Sequence, residues 1–205
     1  GAVYEGSIRK APTAGEIKLL ALSCNSHRGE SHNSNIVSWC EALDPDILFF
    51  AGDQTYHHTE HTAGWLKWGD DFKEMFRHRP CIVIPDDHDI GQGNLWGNGG
   101  VFCADGIIEN GGYIRSVDYV KQVERCQTWH LPDPWFKDSL ESGLTTYYTH
   151  LNYGGISFAI LEDRKFKSSP NGTNHSFPSY VIEASENPGE YSSLSLNLLG
   201  EDQEF

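Results

Sequence analysis

Positive charge is scarce in this 205-residue chain: 15 Lys and Arg stand against 29 Asp and Glu, a formal net charge of −14. That field repels nucleic acid and anionic membrane, which excludes a sequence-tolerant binder of phosphate backbones; a chain so acidic needs a local cation to handle phosphate. Long apolar runs are lacking too, none approaching the roughly 18 residues of a membrane span. The opening Gly1-Ala-Val-Tyr-Glu has neither the basic nor the apolar region of a secretory signal, which leaves open a signal already removed. There is no CxxC pair. Cys24, Cys40, Cys81, Cys103 and Cys126 are odd in number and widely spaced, so neither a zinc ribbon nor a complete disulfide framework fits, and at least one is free or a ligand. The hydrophobic share is low at 38%, yet six Trp, nine Tyr and ten Phe supply bodies for a core and exclude disorder of the whole chain. The length fits one ordinary domain or two small ones.

What is present has a rhythm. Ile17–Ser23, Asp46–Ala51 and Cys81–Ile84 are short continuous apolar runs suited to buried strands. Between them, Ile36, Trp39, Cys40 and Leu43 fall at helical spacing, and Trp65, Trp68, Phe72, Met75 and Phe76 continue such a stripe over three turns and read as core. The order strand, helix, strand, helix, strand predicts parallel strands in one sheet with helices over a face. Eight glycines between Gly91 and Gly112 predict a long loop near a site. Ser116–Trp129 reads as a helix ended by His130-Leu-Pro-Asp-Pro, and Thr146–Tyr153 with Ile156–Leu161 as a hairpin across Gly154-Gly155 that makes the sheet mixed. Ser168–Ser193 reads as irregular, with Asn171-Gly-Thr and Asn174-His-Ser as chance matches to glycosylation acceptors, and Leu194–Phe205 begins a further helix.

Open parallel sheets bind ligands beyond the carboxyl ends of their strands, and all three ends here carry chemistry: Ser23-Cys24-Asn25, Gly52-Asp53-Gln54-Thr55-Tyr56-His57-His58, and Asp86-Asp87-His88-Asp89. Carboxylates so dense repel one another unless cations neutralise them, which points to a multi-metal site. A thiolate and a phenolate beside carboxylates suit ferric iron, the remaining oxygens calcium, magnesium or manganese, and an Asp53 shared by two metals fits two-metal hydrolysis. Each residue alone has a plainer reading: Cys24 as a small buried hydrophobe, Asp53 as a helix cap or turn, the Asp86–Asp89 run as a solvated acidic turn. His57, His58 and His61 read as exposed loop rather than as a metal cluster. Arg164, after the last strand of the hairpin, either clamps a phosphate or pairs with a carboxylate, and the shortage of basic residues favours the phosphate.

Taken with Leu161-Glu162-Asp163-Arg164 and Leu199-Gly200-Glu201-Asp202-Gln203, these motifs resemble the alkaline phosphatase D (PhoD-like) family of metallophosphoesterases in order and spacing over most of the chain. The resemblance implies a single α/β domain over 1–205, an α+β sandwich of mixed sheets flanked by helices. It implies an iron-plus-calcium centre, with zinc or manganese as other candidates, and an exported enzyme hydrolysing phosphate mono- and diesters by a metal-activated hydroxide. Carried over by position, Cys24 and Tyr56 become iron ligands, Asp53 the bridging carboxylate and Asp87 a further metal ligand. His88 and Arg164 become the catalytic pair that steadies charge on the phosphoryl oxygens, and Asn94 a further ligand or phosphate contact.

Pro85 and Asp89 stand where the family often has Trp and Glu. The family also places a last Gly-Asp-x-His element beyond the Leu-Gly-x-x-Gln helix, where this sequence stops at Phe205. Three expectations follow: the C-terminal part is missing from a longer chain, a second chain completes the site, or catalysis is lost. The last would make the protein a non-catalytic binding or structural component of an extracellular assembly that keeps part of the metal site.

Overall fold

A computed structural model describes residues 3–13, 15–26, 30–162, 164–167 and 169. The predicted irregular stretch apart from Ser169, the final helix, the Leu199–Gln203 motif, both glycosylation triplets and Asp163 lie outside these residues.

The parallel sheet forms as the rhythm predicts. Strands β1 (Leu19–Leu22), β2 (Ile47–Phe50) and β3 (Cys81–Val83) run parallel in the order β1-β2-β3, with Leu20 beside Leu48 and Phe49 beside Ile82. Helices α1 (Glu30–Leu43), α2 (His61–Asp71) and the single turn α3 (Lys73–Phe76) fill the connections. The central strand is apolar at every position because both its faces are covered. Leu48, Phe50 and Val83 face Cys40, Trp68, Phe72 and Met75 from the helices, while Ile47 and Ile82 face Tyr147 and Ile160 from the hairpin side. Phe50 meets Trp68 edge to face at 5.0 Å between centroids, the favoured aromatic geometry.

Two helical stripes come out differently from their spacing. In α1, Ile36, Val37 and Cys40 pack on the sheet, but Trp39 and Leu43 are 65% and 56% exposed, so the buried stripe is narrower than the spacing predicts and is turned toward Val37. The second stripe stays inward, although the helix breaks at Phe72 into α2 and α3.

The hairpin of β4 (Tyr148–Tyr153) and β5 (Ile156–Leu161) is antiparallel with Tyr153 opposite Ile156. Gly154 and Gly155 have φ of 59° and 79°, the left-handed pair that a type I′ turn requires. Among the described pairings the hairpin does not join the parallel sheet, as the mixed-sheet expectation had it; it packs face to face on it as a separate two-stranded layer. The fold class is therefore mixed α/β, with a parallel and an antiparallel sheet flanked by helices.

A third cluster joins α4 (Val117–Thr128) to the glycine-rich segment through Ile90, Leu95, Tyr113, Val120, Val123 and Leu144. Ser116 caps α4 by accepting the Tyr119 N–H at 3.3 Å. Among the described residues no helix is long and apolar enough to cross a membrane.

Candidate metal centre

The carboxyl ends of β1, β2 and β3 come together as the parallel order requires, and backbone hydrogen bonds tie their loops. Cys24 N–H donates to the Gly52 carbonyl at 3.2 Å and Asn25 N–H to that of Asp53 at 2.8 Å. Cys24 and Asp53 both adopt left-handed backbone, φ 59° and 57°, a cost of order 1–3 kcal/mol each that surrounding structure must offset. Gly52, φ 98°, is forced by close approach: any Cβ there would overlap that of Asp86.

Asp53 is 5% exposed and gathers the candidate ligands. Its Oδ2 accepts the Tyr56 hydroxyl at 3.0 Å and lies 3.7 Å from Cys24 Sγ, while Oδ1 accepts the His88 N–H at 3.2 Å. Asp87, also buried, accepts the His88 N–H at 2.8 Å on Oδ1 and the Asn94 N–H at 2.7 Å on Oδ2. One ligand atom each from Asp53, Asp87 and His88 lie within 4.8 Å of one another. Thus Cys24, Asp53, Tyr56, Asp87 and His88, all named from sequence, converge on one spot. Asn94 reaches it by its backbone N–H, with its side chain exposed.

The electrostatics are those of an anion cluster in search of a cation. Burial, then the charges of Asp87 and Asp86, push the Asp53 carboxyl above its ordinary range against the Tyr56 and His88 hydrogen bonds. Burial and Asp53 push the Tyr56 phenol above its own range, so without a cation it keeps its proton and donates to Asp53. A metal reverses both effects, and the donor set of carboxylates, thiol, phenol and imidazole fits such an ion.

Arg164 stands at the edge. It clasps Asp86 through Nε to Oδ1 and Nη2 to Oδ2, the latter at 3.2 Å, and its Nη1 lies 3.6 Å from Asp87 Oδ2. The pairing with a carboxylate foreseen as its plainer reading is therefore present, and it aims the guanidinium across the buried carboxylates. The glycine-rich loop sets this position: Gly97 N–H donates to the Arg164 carbonyl at 3.0 Å and Gly100 N–H to that of Lys165 at 2.9 Å. A Cβ at Gly97 would run into both carbonyls. Next door, the buried Lys165 ammonium is held between Glu124 and Glu162.

The sequence pattern missed two features. Asp89, fully buried, accepts the N–H groups of Asp53 at 2.7 Å, Thr55 at 3.0 Å and Asp86 at 3.1 Å, stapling the second and third strand ends together. An acidic residue in an acidic turn gives no sign of this; only its position after a buried strand hinted at it. The histidines also part company. His57 is exposed as read, but His61 is 2% exposed and beside Gln127, and half-buried His58 sits 2.7 Å from His88, because the turn after Tyr56 folds back on the site.

Comparison with family models, with curated proteins and with solved structures finds no match to this chain, so the geometry of Asp53, Asp87, His88 and their neighbours carries the functional reading.

Proposed function

We propose that the chain is a metal-dependent phosphoesterase module, hydrolysing phosphate mono- or diesters at the carboxyl ends of β1–β3. The observation that carries this reading is the convergence of Asp53, Asp87 and His88 within 4.8 Å, with Cys24 and Tyr56 on the Asp53 carboxylate. Cys24, Tyr56 and Asp53 would hold iron, and Asp53 and Asp87 a second ion such as calcium, zinc or manganese. The metals supply Lewis acidity toward the phosphoryl group and the attacking water.

The chain's own residues do the rest. Asp53 and Asp87 are held by backbone N–H groups and need no rearrangement to accept a cation. His88 and Arg164 stand beside them as donors to the phosphoryl oxygens, where charge grows as the ester bond breaks. Such preorganised donors serve the transition state more than the ground state. In a chain of charge −14, the metals and Arg164 are what draw an anionic ester to this end of the sheet.

A second reading rests on the Arg164–Asp86 clasp, which already engages the phosphate-binding candidate. Under it the chain is a non-catalytic component of an extracellular assembly, or half a site completed by a further segment or a second chain.

The test is release of 4-nitrophenolate from 4-nitrophenyl phosphate and bis(4-nitrophenyl) phosphate by protein reloaded with iron and calcium, or with zinc or manganese. Saturable release that disappears in Asp53→Asn supports the hydrolase. A fully metallated parent that releases nothing overturns it in favour of the second reading. Visible colour in the iron-loaded protein, lost in Cys24→Ser, supports the iron assignment.

A further inference from the structure

His58 lies two residues beyond Tyr56 in the loop between β2 and α2. Its Nε2 is 2.7 Å from His88 Nδ1, and the two rings are within 29° of coplanar with centroids 4.9 Å apart, the geometry of two imidazoles joined edge to edge. The approach is braced from three sides. The His58 N–H donates to the Tyr56 carbonyl at 3.1 Å, and its own carbonyl accepts the Tyr119 hydroxyl at 3.0 Å. Gly91 passes so close that any side chain there would strike the His58 carbonyl, and Arg115 Nε holds the Gly91 carbonyl at 2.9 Å. Tyr56 closes the remaining side of His88, ring centroids 4.0 Å apart.

A bond between two imidazole nitrogens holds one proton, and which ring owns it decides what His88 does at its free nitrogen. If His88 donates from Nδ1, its Nε2 carries a bare lone pair and is a metal ligand. If His58 donates, His88 keeps its proton on Nε2 and is a hydrogen-bond donor. One His88 ring nitrogen lies within 4.8 Å of carboxylate oxygens of both buried Asp53 and Asp87, so in the metal-free site their charge favours an N–H over a lone pair facing them.

We propose that His58 is a positioning residue: it donates its Nε2–H to His88 Nδ1, locks His88 in the Nε2–H tautomer, and so makes His88 a donor to a phosphoryl oxygen rather than a metal ligand. The proposal deepens the phosphoesterase reading and rests on it for its catalytic consequence. The tautomer itself does not depend on that reading.

The experiment pairs two variants with two readouts. His58→Phe keeps a ring of similar shape and removes the donor, while His58→Gln returns an N–H donor at similar reach. Ring-nitrogen NMR of uniformly 15N-labelled, metal-free and zinc-loaded protein reads the His88 tautomer, and aryl phosphate hydrolysis by the metal-loaded protein reads its use. His88 should carry its proton on Nε2 in the parent, mix tautomers in His58→Phe, and return to Nε2–H in His58→Gln. In the same order kcat should fall about 10- to 100-fold with KM little changed, then largely recover, as outer partners of site residues do. A parent His88 protonated on Nδ1, a zinc-bound His88 Nε2, or a His58→Phe variant with parental tautomer and rate would overturn the proposal. If the metal-loaded parent is inactive, the phosphoesterase reading fails, and the NMR result still decides the positioning role.

Discussion

The two ends of strands β2 and β3 are built on opposite principles. Through Phe50 and Val83 the strands are wrapped in Trp68, Phe72, Met75 and Cys40, an apolar core that needs nothing beyond burial. A few residues further, the loops that follow the same strands hold Asp53, Gln54, Asp87 and Asp89 at 5% exposure or less, beside Gln127 of α4. There the buried carboxylates and amides lean on one another and on the backbone. Gln54 Nε2 donates to the Ile84 carbonyl at 2.8 Å and to Gln127 at 3.1 Å, and Asp89 takes three backbone N–H groups. Buried carboxylates without cations oppose folding, so the carboxyl end is held in place by the stability of the apolar end.

The apolar end can be loosened on its own. Phe50→Ala should destabilise the fold by about 3–5 kcal/mol, lowering Tm by on the order of 10 °C, while metal bound per folded molecule stays at the parental value. Differential scanning calorimetry beside elemental analysis reads both. A loss of metal from protein that is still folded would show that the two ends are not separable.

Acid should act through buried His61, whose imidazole burial pushes down to about 4. An unfolded histidine titrates near 6.5, so between about pH 6.5 and 4 the unfolded chain takes up a proton that the folded chain refuses. Stability is whole above that window and falls by up to about 3 kcal/mol as pH drops through it. Denaturant midpoints measured from pH 7 to 4 should show this decline, and His61→Gln should flatten it.

Metal removal should act on the polar end. At a metal concentration a hundred times Kd, binding adds about 2.7 kcal/mol, so chelation should lower Tm by several degrees in the parent. The smallest effect belongs to the exposed face of α1, where Trp39→Ser should shift stability by less than about 0.5 kcal/mol despite the helical spacing that drew attention to Trp39. A large loss there, in thermal melts at low protein concentration, would mean that Trp39 is covered in solution.

Period and punctuation made the strands, the hairpin and its Gly154-Gly155 turn legible, because continuous apolar runs and left-handed turn positions leave local marks. The convergence of Cys24, Asp53, Tyr56, Asp87 and His88 was legible for a related reason: parallel strands align their carboxyl ends, so residues just after each run must meet. What stayed hidden has no local mark. Trp39 faces outward because α1 packs through Ile36, Val37 and Cys40, Gly97 is required by a carbonyl 67 positions away at Arg164, and the His58–His88 bond joins positions 30 apart. The same holds for the hairpin, whose strands could have paired into the parallel sheet but instead stack on it through Ile47, Ile82, Tyr147 and Ile160.

If Asp53 trades stability for metal as proposed, one paired measurement reads both halves of the exchange: metal per chain and Tm for the parent and Asp53→Asn, each with metal and with chelator. Replacing a carboxylate whose charge burial and its neighbours oppose should leave Tm in chelator unchanged or higher, while bound metal and the metal-dependent rise in Tm both vanish. A variant that keeps its metal, or a parent that binds none and melts at the same temperature with and without chelator, would show that Asp53 is not the residue that holds the ion.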